Sequence, residues 1–289
     1  MGSSECSVQK RKGSSRWEQR RVNISCRHGF TLVELLVVIV IIGILAAIIT
    51  PVAFNALGNA RNAAVSLELS KLSVALEAYK NEYGSYPPDM TNPQHAIRHL
   101  SRLFPRQEAH EREEFLELTL DPAEALVFWL RGFYPDPAHP LSGDSNHDEQ
   151  PDMERGTALF EFPLSQLTDI DGDNLPEYSP TKHCKGTPVV YFDSRGNYQL
   201  GNVLKEYTAA AGVGNRGIAK PYSLDPEVSP KRFCKPDSFQ LVSSGQDGRY
   251  GDWPSAYKTY PENTAYPYTD QDDDNITSFS EGKTLGSAE

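Results

Sequence analysis

Arg27-His28-Gly29-Phe30-Thr31-Leu32-Val33-Glu34-Leu35-Leu36-Val37-Val38-Ile39-Val40-Ile41-Ile42 is the stretch on which the reading of this chain turns. A basic, polar segment ends at Gly29 and an apolar run begins at Phe30. Phe30 to Ile49 is 20 residues, about 30 Å as an α-helix and so one bilayer core. From Leu35 to Ile49 every residue is Leu, Val, Ile, Ala or Gly. Glu34 stands near the start of this run, where an isolated ionised side chain is costly to place in hydrocarbon. A charge kept there needs a reason, and function is where to look for it. Pro51 follows and lacks the donor that continues a helix ladder, so a local loosening is expected there.

The charges on either side of the run are opposite. Lys10, Arg11, Lys12, Arg16, Arg20, Arg21 and Arg27 precede Phe30 against Glu5 and Glu18, so a formal −11 for the 289 residues leaves about −16 beyond the leader. Basic before the span and acidic after it predicts a cytoplasmic leader and an exported body. So acidic a body is a poor partner for nucleic acid, having little to neutralise phosphate, but can take cations. A secretory signal peptide would have a shorter apolar core, and a plain single-pass anchor gives Glu34 no role. Cys6 and Cys26 fall on the reducing side, Cys184 and Cys234 in the exported body. A Cys184–Cys234 disulfide would close a loop of about 50 residues and contribute roughly 4 kcal/mol; two buried free thiols are the alternative, and spacing alone does not decide between them.

Beyond the span, Val65, Leu69, Leu72, Leu76, Tyr79 and Tyr83 recur at helical spacing, an apolar stripe that covers the body's own core. The helix is expected to run from Phe30 to Tyr83, with Gly84 ending it and Pro87-Pro88 preventing continuation. Pro93–Phe104 and Gln107–Leu118 read as charged helices. Asp121-Pro122-Ala123-Glu124 is a helix start, with an Asp cap, Pro at the first position and Glu in the first turn. Asp169-Ile170-Asp171-Gly172-Asp173-Asn174 carries carboxylates at alternate positions, as calcium loops do, with an Asn that tolerates a left-handed turn. Pro180 stands where an EF-hand needs glutamate, so the alternatives for Asp169, Asp171 and Asp173 are a different calcium loop or a structural turn. Thr187–Asp193 reads as a strand paired with Asn197–Val203 through Ser194-Arg195-Gly196, and Ser238–Ser243 as another. The histidines lie mostly in the middle region with no Ser or Cys motif beside them, so no nucleophile–base constellation supports an enzyme.

Gly29-Phe30-Thr31-Leu32-Val33-Glu34-Leu35-Leu36 resembles the processing site of the type IV pilin and type II secretion pseudopilin superfamily. Ala75-Leu76-Glu77-Ala78-Tyr79-Lys80 with Tyr83-Gly84-Ser85-Tyr86-Pro87 is similar to the helix end of its major pseudopilin, the type II secretion protein G branch. So is the order of strand, Ser244-Gly245-Gln246-Asp247-Gly248 turn, acidic stretch Asp270–Asn275 and Ile276-Thr277-Ser278-Phe279. The resemblance implies an α+β fold: one long N-terminal helix, half transmembrane and half amphipathic, packed on a small antiparallel sheet. It divides the chain into a leader (1–29), a transmembrane assembly helix (30–51), the amphipathic half (52–88), an insertion of helices and acidic loops (89–186) and the sheet with its C-terminal acidic loop (187–289). It implies cleavage between Gly29 and Phe30 by prepilin peptidase, methylation of the new Phe30 amine, and pairing of Glu34 with the Phe30 amine of a neighbouring subunit. It implies calcium in the C-terminal loop, with Asp247, Asp273 and Asn275 as side-chain ligands and Asp274 as the register alternative.

The function so implied is a non-enzymatic subunit of the inner membrane, single-pass with its body in the periplasm. It would polymerise with copies of itself and other pseudopilins, on an inner-membrane assembly platform, into a pseudopilus for type II protein secretion. A type IV pilin for adhesion, motility or DNA uptake is the alternative within the superfamily. A membrane-tethered binding or enzymatic domain is the alternative from another class.

Overall fold

A computed structural model describes residues 31–146, 148, 150–184, 186–208, 216–253 and 256–287. The leader, with Gly29, Phe30, Cys6 and Cys26, lies outside the described residues. The chain divides into two units, Met1–Val52 and Ala53–Glu289.

Helix α1 runs Leu32–Tyr83 and continues through Pro51. In the first unit its side chains from Leu32 to Val52 are all exposed, and this segment is long and apolar enough to cross a membrane. Thr50 Oγ1 donates to Ala46 O at 2.6 Å, one turn back.

In the second unit the stripe buries Val65, Leu69, Leu72, Leu76 and Tyr79, while Tyr83 is half-buried. Each buried Val or Leu contributes roughly 1.5–3 kcal/mol relative to exposure. Gly84 ends the helix at φ 80°, donating its N–H to Lys80 O at 2.7 Å, a left-handed position that glycine takes without a Cβ penalty. Helices α2 (Pro93–Leu103), α3 (Ala109–Glu117) and α4 (Ala125–Leu130) follow. All six residues of α4 are buried, and Trp129 Nε1 donates to Pro88 O at 2.8 Å.

The strands are short: β1 (Leu167–Thr168), β2 (Glu177–Tyr178), β3 (Val190–Asp193), β4 (Gln199–Leu200), β5 (Val203–Leu204), β6 (Tyr207–Thr208), β7 (Ile218–Ala219), β8 (Ser223–Asp225), β9 (Arg232–Phe233), β10 (Phe239–Ser243) and β11 (Ile276–Thr277). Among the described residues the largest sheet is three-stranded and antiparallel, ordered β11-β10-β3, and the other four are two-stranded pairs. Long helix and small antiparallel sheets together make an α+β fold. The three-stranded sheet is covered on both faces. Tyr191, Phe239 and Leu241 join the α1 stripe and α4 in one core. Val190, Phe192 and Val242 join Tyr198, Tyr222, Phe233 and Tyr250 in a second.

The expected hairpin between 187–193 and 197–203 does not form. β3 pairs with β10 instead, Val190 opposite Val242 and Asp193 opposite Phe239. Asn197 and Tyr198 take φ of 53° and 58°, which ends any strand there, and β4 pairs with β5. A strand buried on both faces gains more from a central partner than from its sequence neighbour.

The segment after α1 is locked to the sheet by buried charge. Asp89 N–H donates to Asp193 Oδ2 at 2.9 Å and Asp193 N–H to Asp89 Oδ2 at 3.1 Å. Lys205, 1 % exposed, bridges them, with Nζ at 2.7 Å from Asp89 Oδ2, 2.9 Å from Asp193 Oδ1 and 2.8 Å from Asp193 O. Arg195 adds a bond to Asp193 Oδ2 at 2.8 Å.

Against α1, His99 Nε2 meets Tyr79 Oη at 2.9 Å, and burial pulls its pKa down to about 3. The unfolded chain then takes up a proton near pH 6.5 that the folded chain refuses. Stability from this site is present above pH 6.5 and is lost as pH falls toward 3, by up to about 1.4 kcal/mol per unit. In His99→Gln, melting temperature should fall less steeply between pH 6.5 and 4 than in the parent; parallel curves would refute this.

Candidate functional site

The start of α1 is built by its own sequence. Thr31 Oγ1 accepts the Glu34 N–H at 3.2 Å, and Glu34 Oε2 accepts the Thr31 N–H at 2.9 Å and its hydroxyl at 2.8 Å. This is a reciprocal capping box, and the carboxylate sits at the positive end of the helix dipole. Glu34 therefore has a partner within its own chain. The Thr-x-x-Glu spacing signals this in the sequence, although the charge alone draws attention first.

The C-terminal acidic loop is organised around an ammonium. Lys258 Nζ lies 2.6 Å from both Asp272 carboxylate oxygens, and both side chains are fully buried. Asp272 also accepts the Thr269 N–H and hydroxyl at 2.6 and 2.7 Å. Burial draws the Lys258 pKa down while Asp272 holds it up. Of the expected ligands, Asp247 Oδ1 accepts the Arg249 N–H at 2.7 Å, and the Asn275 amide donates to Tyr250 O at 3.2 Å. Asp273 lies against Gly286, where an added Cβ would meet its carboxylate. Asp274 does most of the joining: its Oδ2 accepts the Gln246 and Asp247 N–H groups at 2.6 and 2.8 Å. An added Cβ on Gly245, at φ 64°, would run into Asp274, so glycine is needed there. Among the described residues, Asp274 Oδ1 and Asn275 Oδ1 are buried without a hydrogen-bond partner, as are Ser244 Oγ in the adjoining turn and Thr259 Oγ1. Gln246 Nε2 reaches α1, donating to Gly58 O at 3.1 Å and Asn62 Oδ1 at 2.5 Å.

The alternating Asp169 loop connects β1 to β2. Its Asn174 takes φ 67°, the left-handed turn that Asn tolerates. Asp169 does not stand with Asp171 and Asp173. Its carboxylate turns inward to accept the Gly172 and Asn174 N–H groups at 2.8 and 3.2 Å. Glu124 takes the third place: oxygens of Glu124, Asp171 and Asp173 lie within 4.8 Å of one another. Among the described residues this is the one group of three or more His, Cys, Asp or Glu side chains with metal-ligand spacing. Glu124 is placed by a second capping box. Asp121 Oδ1 accepts the Ala123 and Glu124 N–H groups at 2.7 and 3.2 Å, and Glu124 Oε2 accepts the Asp121 N–H at 2.8 Å. Burial pushes Glu124 up to about 9, with Asp121 adding repulsion, and pushes Glu177 up to about 8. The helix-start pattern was legible; its convergence with a loop some 50 residues on was not.

The disulfide expectation is corrected. Cys184 and Cys234 are free, buried thiols, one in each of the two cores. Cys184 Sγ lies 3.8 Å from Ser243 Oγ, and burial pushes the Cys234 thiol up to about 12.

Comparison with known proteins places the N-terminal region. The prokaryotic N-terminal methylation motif matches residues 24–50, which include Gly29, Phe30 and Glu34. Type II secretion system core protein G of Pseudomonas aeruginosa is 37 % identical over 61 residues, 21 % of this chain and 43 % of that protein. The proteins of the same name from Klebsiella pneumoniae and Pectobacterium carotovorum are 42 % identical over 64 residues and 43 % over 65. Each match takes in 21 % of this chain, and 44 % and 39 % of the relatives respectively. The matched segment thus spans less than half the length of these relatives. No solved structure matches. With a methylation motif at the head of an exposed apolar helix and these relatives beyond it, the chain is pseudopilin- and pilin-like in its N-terminal region.

Proposed function

We propose that this chain is a structural subunit of a type II secretion pseudopilus. The observation that carries the proposal is the first half of α1: fully exposed, apolar, capped at Glu34 and lying within the methylation motif. Among the described residues of the first unit nothing covers these side chains, and in water they would be a large aggregation surface. Lipid covers them before assembly and neighbouring helices cover them after it. Residues 1–29 are the leader, cytoplasmic by their positive charge, and residues 30–51 the membrane and assembly helix. Prepilin peptidase cuts between Gly29 and Phe30 and the new Phe30 amine is methylated. The body lies in the periplasm, and subunits stack with copies of themselves and with other pseudopilins on the inner-membrane platform. The relatives, type II secretion system core proteins by name, favour secretion over a type IV pilus.

Calcium in the C-terminal loop is part of this reading. Two of the partnerless oxygens, Asp274 Oδ1 and Asn275 Oδ1, fit a hard cation, and Asp274 rather than Asp273 is the residue the geometry favours. A cation held there would fix the loop that ends on β11.

Mass spectrometry of the mature chain tests the processing step. A first residue of Phe30 carrying one added methyl is expected. An intact leader, or a start within residues 55–65, would refute the reading.

A further inference from the structure

We propose that Glu124, Asp171 and Asp173 bind a calcium ion that pins the turn leading into α4 to the β1–β2 hairpin. Their oxygens lie within 4.8 Å of one another. Two oxygens on opposite sides of one calcium, each at about 2.4 Å, are separated by about that distance. The donor set is all carboxylate oxygen, which suits calcium, magnesium or manganese and not zinc or copper. Asp171 is exposed and Asp173 half-buried, so water can complete a shell of six to eight ligands on the open side.

An acidic cluster alone would not carry this. The decisive observation is what Glu124 and Asp173 leave open. Glu124 is 2 % exposed. Its Oε2 is engaged by the Asp121 amide, while Oε1 is buried with no hydrogen-bond partner among the described residues. Asp173 repeats the arrangement: Oδ1 accepts the Leu175 N–H at 2.8 Å and Oδ2 is buried with no hydrogen-bond partner among the described residues. Each carboxylate is thus oriented by a backbone amide and presents its other oxygen without a donor. A buried, unpaired carboxylate oxygen is destabilising, and three carboxylates this close repel. A single proton satisfies one oxygen pair; a divalent cation engages all three side chains and cancels most of their charge.

The surroundings hold the site in shape. Asp169 fixes the loop from inside through the Gly172 and Asn174 amides. Glu177 Oε2 accepts the Ile170 N–H at 2.9 Å, tying the loop's start to β2. Pro122 O accepts the Tyr191 N–H at 3.0 Å, so the Asp121–Glu124 turn is also anchored to β3. A cation here would join the insertion's most buried helix to its hairpin and so order a region the curated relatives' match does not reach.

The test uses the full-length chain in detergent, stripped with a chelator and titrated calorimetrically with calcium chloride. Asp171→Asn/Asp173→Asn removes charge from the two loop ligands while leaving Glu124 and its capping box, and Asp274→Asn serves as the control for the C-terminal loop. Dissociation constants in the range of extracellular calcium modules, about 10⁻⁴ to 10⁻³ M, are expected. At a tenfold excess over that constant the melting temperature should rise by about 3–5 °C. The double variant should lose the one equivalent of calcium held at Glu124 and that share of the shift; Asp274→Asn should keep this equivalent and this share, and lose only what the C-terminal loop contributes. If the double variant misfolds by circular dichroism, the single exposed change Asp171→Ala, with calcium protection of the 169–176 loop from proteolysis, takes its place. Equal calcium uptake and equal thermal shifts in parent and variant would overturn the proposal, as would no uptake by the parent. Loss of this site leaves the pseudopilin reading untouched, because the Phe30 terminus tests that separately.

Discussion

Replacing Lys205 by methionine is expected to cost the body about 3–5 kcal/mol of folding stability, a drop of roughly 10 °C or more in melting temperature. Methionine fills much of the same volume, so the loss is electrostatic. Lys205 Nζ is the buried cation between Asp89 and Asp193. Without it two buried carboxylates remain, each already bound to the other residue's amide, with Arg195 reaching Asp193 alone. Burial and the neighbouring Asp193 push the Asp89 pKa up. Burial also pushes Asp193 upward, but Lys205 and Arg195 together hold it below the ordinary range. A depressed carboxylate contributes stability above its unfolded pKa and loses it as pH falls through the folded one. In the parent that contribution is intact from pH 7 down to about 4; in Lys205→Met the two buried carboxylates have lost their ammonium and are relieved by taking up protons, so the deficit of the variant should narrow as pH falls from 7 toward 4. Adding Asp89→Asn should recover part of the loss, since Asp193 keeps Arg195. Thermal unfolding followed by tryptophan fluorescence reads all three; a variant within 1 kcal/mol of the parent would show that the pair contributes little.

What the sequence discloses here depends on how local the physics is. The α1 stripe was readable because each buried position lies three or four residues from the next, and Val65 to Tyr79 are buried as expected. The end at Gly84 follows from one residue's backbone freedom. The β3–β10 pairing was not readable, because no short-range signal distinguishes a partner some 46 residues away from one across a three-residue turn. Lys205 and Lys258 were equally hidden. A lone lysine in a polar loop reads as solvated, and only the fold shows it fully buried between carboxylates. The loop Asp169–Asn174 was half legible. Its alternating carboxylates and left-handed Asn were visible, but the exchange of Asp169 for Glu124 required the packing of α4 against β2. The two cysteines show the same limit: their spacing allowed a bridge, and their assignment to different cores removes it.

The second large effect is expected at Glu34, and the capping box makes the experiment sharper than a single alanine. Glu34→Ala removes both the charge and the bonds to Thr31, so a failure to assemble would have two explanations. Glu34→Gln separates them. Gln at this position of a Thr-x-x-Gln box still accepts from the Thr31 amide and hydroxyl, so the helix start is kept while the charge is lost. If Glu34 pairs with the Phe30 amine of a neighbouring subunit, Gln and Ala should be equally defective, each giving roughly tenfold less sheared fibre or more, while leader cleavage continues. Thr31→Ala should then assemble, because it takes away the hydroxyl half of the cap, leaves the backbone amide bond at position 31 and keeps the carboxylate. If instead the cap is what matters, Gln should assemble like the parent and Thr31→Ala should fail. The two outcomes are opposite for the same pair of variants. The charge reading is favoured because a helix cap is satisfied by a neutral side chain, whereas an ionised carboxylate at the head of an apolar span is tolerated where a cation meets it.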